Sequence, residues 1–272
     1  MKPKKSLSQN FLINDRAAQR IVKSLNPEEN DVVLEIGAGS GALTKHLLCK
    51  AKKILAVEID KQLCQILQQK FKSYQNLSIV NADILKVSLH NLIKPEPNCK
   101  VVGNLPYQIT SGVLSFLQEN RKLINGCVLM IQKEVALRLS SVPGSKNWSP
   151  LSIAVQMYAD SEILFHIKPN SFFPKPRVDS SVIRLTFLPQ PRVRVEDERW
   201  FFRVVRAAFG QRRKILLNSL TSNLSLPKDR LEVILNRIGI DPKRRAETLN
   251  LSEFARLSTA VIGLEKIRLI SG

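Results

Sequence analysis

The chain has 272 residues, 44% of them hydrophobic, enough to bury one substantial core and a smaller second one, which excludes a disordered or peptide-like protein. Lysine and arginine number 42 against 23 aspartates and glutamates, a formal net charge of +19, so the surface attracts polyanions, with nucleic acid the first partner to consider. No stretch approaches the roughly 18 to 20 apolar residues that cross a bilayer, the start MKPKKSLSQNFL has no apolar signal core, and the four cysteines form no CxxC pair; a cytoplasmic protein with reduced thiols, no membrane contact and no metal site is expected.

Residues 14 to 25 carry Ala17, Ala18, Ile21, Val22 and Leu25 at helical spacing behind Asn14, a capping residue, and the pattern stops at Asn26-Pro27. Short apolar runs follow at 32 to 36, 54 to 59, 77 to 80, 101 to 102 and 127 to 131. Most are separated by helix-like segments, near 42 to 52, 61 to 72, 109 to 120 and 133 to 141. Buried parallel strands alternating with helices read this way, which predicts a doubly wound α/β sheet. Ser149-Pro150 caps a further helix to about 159, and 162 to 168 and 181 to 187 alternate as a strand pair around the loop NSFFPKPRVDS. Beyond Pro189 and Pro191 the periodicity is helical only, near 196 to 208, 212 to 221, 227 to 237 and 251 to 262. A domain boundary is expected near 190, dividing the chain into 1–190 and a small all-α domain at 191–272. From 192 onward there are 17 basic and 9 acidic residues, so positive charge is denser there.

The strand at 32 to 36 runs into GAGSGALT, placing Gly37, Gly39 and Gly41 where a ligand can approach the backbone closely; an ordinary tight turn is the alternative. Glu58 ends the second strand 17 residues past Gly41, where a carboxylate can accept both hydroxyl hydrogens of a ribose, and the neighbouring Asp60 reads as a helix cap. Asp83 follows the third strand, within reach of an adenine amino group. Acidic groups at this edge suit a cation and repel phosphates, so a nucleoside bearing a sulfonium, S-adenosyl-L-methionine, fits better than NAD.

The fourth strand leads into Gly103-Asn104-Leu105-Pro106-Tyr107, and NLPY is a variant of the element that methylates exocyclic amines. The lone pair of an adenine amino nitrogen is delocalised into the ring, so the nitrogen needs acceptors for its hydrogens. The Asn104 side-chain oxygen and the Leu105 carbonyl can serve, Pro106 has no donor to compete, and Tyr107 can stack on the base. Phe172, in the stiff F-x-P-x-P-x-V loop, can present a second aromatic; its other reading is a core plug beneath that loop.

Seven segments in order, SQNFL (8 to 12), LEIGAGSGALT (34 to 44), VEID (57 to 60), NADIL (81 to 85), GNLPY (103 to 107), FFPKPRVDSSVIRL (172 to 185) and AAFGQRRKILLNSL (207 to 220), resemble the ribosomal RNA adenine dimethylases that modify small-subunit RNA. The resemblance implies a Rossmann-like seven-stranded methyltransferase sheet with a small all-α C-terminal domain. It implies transfer of methyl groups from S-adenosylmethionine to two adjacent adenines in a hairpin loop near the 3′ end of small-subunit (16S) rRNA, within a ribosomal subunit or its precursor, and a role in subunit biogenesis. It places Asn10, Leu12, Gly37, Glu58, Asp83 and Asn104 at the donor and makes Tyr107 with Phe172 the base-stacking pair. Ser8 departs from the glycine the family often has before QNFL, which bears on the shape of the N-terminal lid.

Gln211-Arg212-Arg213-Lys214 beside Arg203 and Arg206, and Lys243-Arg244-Arg245, are candidate phosphate contacts, with a solvated surface as the alternative for each. Nothing in the sequence suggests a dimer, so a monomer is the default. Two rivals stand beside this reading: a relative that methylates one adenine of large-subunit RNA, and an assembly factor that binds RNA without depending on catalysis. The intact GxGxG, Glu58, Asp83 and Asn104 argue for an active enzyme.

Overall fold

The computed structural model describes residues 3–4, 7, 9–211 and 213–271; Ser8 and Arg212 lie outside the described residues. Seven strands form one mixed sheet: β2 (Val32–Ile36), β3 (Lys53–Glu58), β4 (Leu77–Asn81), β5 (Cys99–Asn104), β6 (Ile124–Gln132), β7 (Ala159–Ile167) and β9 (Ser180–Phe187). Their order across the sheet is β4-β3-β2-β5-β6-β9-β7. The first five are parallel, and β9 pairs antiparallel with both β6 and β7. From β2 the chain winds outward through β3 and β4, then returns to the other side of β2 at β5, so the sequence order reverses between β2 and β5. In sheets of this kind the crevice outside the carboxyl ends of the strands at such a reversal is where ligands bind.

Why these segments are strands follows from burial: every residue of β2 is buried, which an apolar run flanked by crossover connections permits and an alternating one does not. The helices α1 (Asp15–Leu25) and α3 (Lys61–Lys70) pack on this sheet, α1 against β5 and β6 and α3 against β3 and β4. Asn14 caps α1 by accepting from the Ala17 N–H, and Asp60 caps α3 through Gln62. The helix expected over 42 to 52 is only α2 (Thr44–Leu47), because the glycine loop takes up the start of that segment as turns. Two further short helices in this region are α4 (Leu89–Ile93) and α5 (Thr110–Glu119).

Two strands too short to leave a periodic trace, β1 (Phe11–Leu12) and β8 (Phe172–Phe173), pair antiparallel as a separate ribbon, with Phe11 opposite Phe173 and Leu12 opposite Phe172. Neighbouring residues in a strand face opposite ways. Phe172 turns inward, 4% exposed, into the cluster of Leu12, Met130, Ile167 and Val182, while Phe173 turns outward, 57% exposed. The core-plug reading of Phe172 is therefore the one its packing supports, and the open stacking face expected from the resemblance is not formed.

The chain divides into two compact units, residues 1–137 with 159–189, and residues 138–158 with 190–272. The first unit is thus not the continuous 1–190 domain expected from the sequence: residues 138–158 belong with 190–272, which no pattern in the sequence marks. The first division falls within α6 (Lys133–Leu139), and α7 (Pro150–Gln156) belongs to the second unit with α8 (Glu198–Phe209), α9 (Leu216–Leu224), α10 (Lys228–Arg237) and α11 (Leu251–Ser271). That unit is organised around Trp148, Ile153, Trp200, Phe201, Leu220, Leu235 and Phe254. The segment 138–158 is sewn into it by bonds that need its backbone there: Trp148 Nε1 donates to the Leu249 carbonyl at 2.9 Å, and the Gly144 N–H to the Glu247 carbonyl at 2.7 Å.

Candidate active site

A cavity of roughly 260 Å³ opens in the first unit over the carboxyl ends of β2, β3 and β5. Of the residues expected at the donor, all six line it: Asn10, Leu12, Gly37, Glu58, Asp83 and Asn104. Of those expected at the reacting amine, Asn104 and Pro106 line it and Leu105 does not; the expected base-stacking pair, Tyr107 and Phe172, lies outside its lining.

Gly37 leaves β2 with φ +72°, a conformation that side chains disfavour, and a Cβ there would sit 3.6 Å from the Asn104 carbonyl oxygen. The loop therefore passes close over the end of β5. One residue earlier on that strand, a Cβ at Gly103 would meet the Ile36 carbonyl oxygen at 2.7 Å, so the absence of a side chain there lets β2 and β5 close where Asn104 begins. Asn104 donates its amide N–H to the Asn10 carbonyl at 3.1 Å. With the nitrogen committed, the oxygen of that amide is left as an acceptor. Tyr107 is half-buried, its hydroxyl 3.3 Å from the Ser180 hydroxyl, in a short turn that follows Pro106.

Glu58 is buried at the end of β3, its two carboxylate oxygens each accepting a backbone N–H at 2.9 Å, from Gly39 and from Asp60. The glycine loop is thus fastened to the strand end beside it. Asp83 uses one oxygen to accept the Leu85 N–H at 3.0 Å and caps the turn 84–86. Beneath the loop, buried Glu35 accepts the Thr44 hydroxyl at 2.7 Å, tying the strand before the loop to the helix after it. Burial, aided by the nearby charge of Glu58, pushes the Glu35 carboxyl up to about 8, so it is protonated at neutral pH.

Asp60 does more than cap a helix. It also accepts the Lys4 ammonium at 2.8 Å and the Gln9 amide at 3.0 Å, drawing the N-terminal segment across the cavity, where Leu7, Gln9 and Phe11 join its wall. Burial acts to raise the Asp60 carboxyl, but the hydrogen bonds from Lys4 and Gln9 outweigh it and hold the group below its usual range. Sequence reasoning missed this bond because it joins residues 56 apart, with only the SQNFL motif to point at the segment. Apolar walls from Leu12, Ile59, Ile84 and Leu85 with carboxylates at Glu58 and Asp83 fit a nucleoside that carries a positive charge.

In the second unit, Arg138, Lys146 and Arg206 border a cavity of roughly 280 Å³ together with Trp148 and Phe209. Arg203, Arg206, Gln211, Arg213, Lys214, Lys243 and Arg245 are exposed. Arg244 is not a free cation: it holds Glu253 at 2.5 Å and the Thr248 carbonyl at 2.7 Å, closing the start of α11. Among the described residues no group of His, Cys, Asp and Glu is arranged to hold a metal ion, and no helix is long and apolar enough to cross a membrane.

The model of the family described as ribosomal RNA adenine dimethylase matches residues 1–262. A curated relative from Bacillus cytotoxicus, a ribosomal RNA small subunit methyltransferase A, is 47% identical over 95% of this chain and 91% of its own length. Among solved structures, a dimethyladenosine transferase from Plasmodium falciparum is similar with a TM-score of 0.75 and 26% identity, over 94% of this chain and 98% of that one. The 23S rRNA methyltransferase ErmE follows at 0.69 and 26%, over 94% and 100%. A family match over nearly the full length, and a switch-point cavity built from the motifs that carry the likeness, lead to one conclusion: the chain belongs to the ribosomal RNA adenine dimethylases, enzymes that use S-adenosylmethionine to methylate adenine in rRNA.

Proposed function

We propose that this chain transfers methyl groups from S-adenosylmethionine to the exocyclic amines of two adjacent adenines in the 3′-terminal hairpin loop of small-subunit rRNA, giving N(6),N(6)-dimethyladenosine. The 47% identity, over 95% of the chain, to a ribosomal RNA small subunit methyltransferase A supports that substrate. The observation that carries the reading is Asn104, at the reversal of the sheet, with its amide nitrogen bound to the Asn10 carbonyl.

From that position the Asn104 oxygen accepts a hydrogen of the adenine amine, and the Leu105 carbonyl takes the other, which localises the nitrogen lone pair for attack. Pro106 offers no N–H to compete. Tyr107 stacks on a base drawn out of its helix. Bound in the cavity, S-adenosylmethionine supplies an electrophilic methyl group on a sulfonium. Asn10, Leu12 and Gly37 enclose it; each oxygen of Glu58 keeps a lone pair for a ribose hydroxyl, and Asp83 accepts from the donor's own adenine amine. No residue is assigned as general base, because the cationic product amine loses its proton readily to water.

The RNA is met within a ribosomal subunit or its precursor in the cytoplasm, by a monomer, and exposed cations of the second unit, including Arg213 and Lys214, contact its phosphates. The density of positive charge in that unit supports the assignment. The test is methyl transfer to small subunits from cells that lack this protein, with the modified nucleosides identified by mass spectrometry. Dimethyladenosine at two neighbouring sites is expected, with kcat reduced about 100-fold or more by Asn104→Ala, the scale of losing one positioned hydrogen-bonding group in a transition state. Incorporation only into large-subunit RNA would refute the substrate, and RNA binding without incorporation would point to an assembly factor.

A further inference from the structure

Phe173 is left unexplained by the reaction as derived. It is a large aromatic side chain, 57% exposed, on a two-residue strand whose other member is buried in the core. Its backbone is not free to turn it inward: pairing of Phe11 with Phe173 and Leu12 with Phe172 fixes the ribbon, and Phe172 already fills the inward position. Side chains directly opposite one another in an antiparallel pair point to the same face, with Cα atoms about 5 Å apart. Phe11 lines the donor cavity, and its neighbour Asn10 holds Asn104 through its carbonyl. Phe173 therefore continues the cavity wall outward, one strand spacing from Phe11, onto the rim.

The chain around it is basic. Lys175 and Arg177 are exposed within the same loop and make no ion pair among the described residues, and Val178 is exposed beside them. The carboxylate at the end of the loop, Asp179, is held by Lys168 at 3.0 Å with Lys133 at 3.8 Å. An aromatic ring in the same loop as two cations without ion-pair partners matches a base and its phosphates, whereas an apolar protein partner would meet two uncompensated charges.

We infer that Phe173 is a stacking platform for the nucleotide adjacent to the target adenine, with Lys175 and Arg177 on that nucleotide's phosphates. This rests on the proposed RNA substrate and deepens it: one adenine enters the cavity while its neighbour lies on the rim, so a site with two adjacent purines is preferred over an isolated adenine. A ring face is what the interaction needs, so aromatic replacements preserve it and aliphatic ones do not.

The experiment compares wild type with Phe173→Ala, Phe173→Leu and Phe173→Trp. It measures kcat and both KM values on small subunits, melting temperature, and filter binding of the unmethylated hairpin RNA, which needs no turnover. For Phe173→Ala and Phe173→Leu, a rise of about tenfold in KM and Kd for RNA is expected, the scale of removing one base stack. The KM for S-adenosylmethionine and the melting temperature stay at wild-type values, and Phe173→Trp restores RNA binding. Equal RNA affinity across all variants, or restoration by Leu as well as Trp, would overturn the assignment. So would a fall in melting temperature or a change in oligomeric state with RNA binding intact, which would show that the ring covers another part of the protein or a second copy of it. Failure of wild type to methylate would refute the substrate reading alone, because the binding comparison still decides the role of Phe173.

Discussion

The two units bury different things. Among the described residues, every buried carboxylate, Glu35, Glu58 and Asp60, belongs to the first unit and sits on or beside the carboxyl ends of β2 and β3. Among its described residues the second unit buries, of its polar and charged side chains, the serines Ser141, Ser152, Ser219 and Ser258, around a core of aromatic and aliphatic residues, and keeps its described ionic groups at or near the surface. A buried carboxyl costs stability unless it is neutralised or hydrogen-bonded. The first unit accepts that cost where the cavity lies, while the second has no such constraint and is built for packing. One region is shaped by the ligand it must hold, the other by the surface it must present.

The contrast can be broken most forcefully in the second core. Phe254 is fully buried and stacks on Phe209 with ring centroids 5.9 Å apart, so Phe254→Ala should cost about 3–5 kcal/mol in denaturant unfolding. In the first unit the informative change is Glu35→Gln. Because the folded carboxyl is raised from 4.5 to about 8, the folded state keeps a proton that the unfolded state has lost, and stability falls as pH rises through that window. Glu35→Gln should remove this decline, so denaturation midpoints at pH 5 and pH 8 should converge in the variant relative to wild type. The smallest effect belongs to the exposed cations. Replacing Arg213 and Lys214 by glutamine should weaken RNA binding evenly across sequences and lower the slope of log affinity against log salt by about one for each phosphate no longer neutralised, with donor affinity unchanged.

The parallel strands were legible because burial on both faces leaves a mostly apolar run, as in VVLEI with the single exception of Glu35, and the site was legible where a strand end meets a residue of distinctive chemistry, as at Gly37, Glu58 and Asn104. What escaped was long-range or too short to be periodic. The β1–β8 ribbon has two residues a side, so no alternation could show which of Phe172 and Phe173 points inward. The bond from Lys4 to Asp60 joins residues that no local pattern relates. Residues 138–158 carry ordinary apolar spacing, and spacing says that Trp148, Ile153 and Met157 are buried without saying in which core. The basic triplet at 243–245 reads as one patch, yet Arg244 is occupied by Glu253.

Gly103 touches neither donor nor base, yet its hydrogen sits where any side chain would strike a backbone oxygen of the neighbouring strand. A rotamer change cannot relieve that collision, so even alanine must push β5 away from β2 at the point where Asn104 leaves the sheet. In a saturation library screened for methylation, position 103 should tolerate as little as position 104 while remaining invisible to any choice of sites made by proximity to the ligand. Redesign for a different base should therefore vary the loop beyond Pro106 and leave this pair of strands alone.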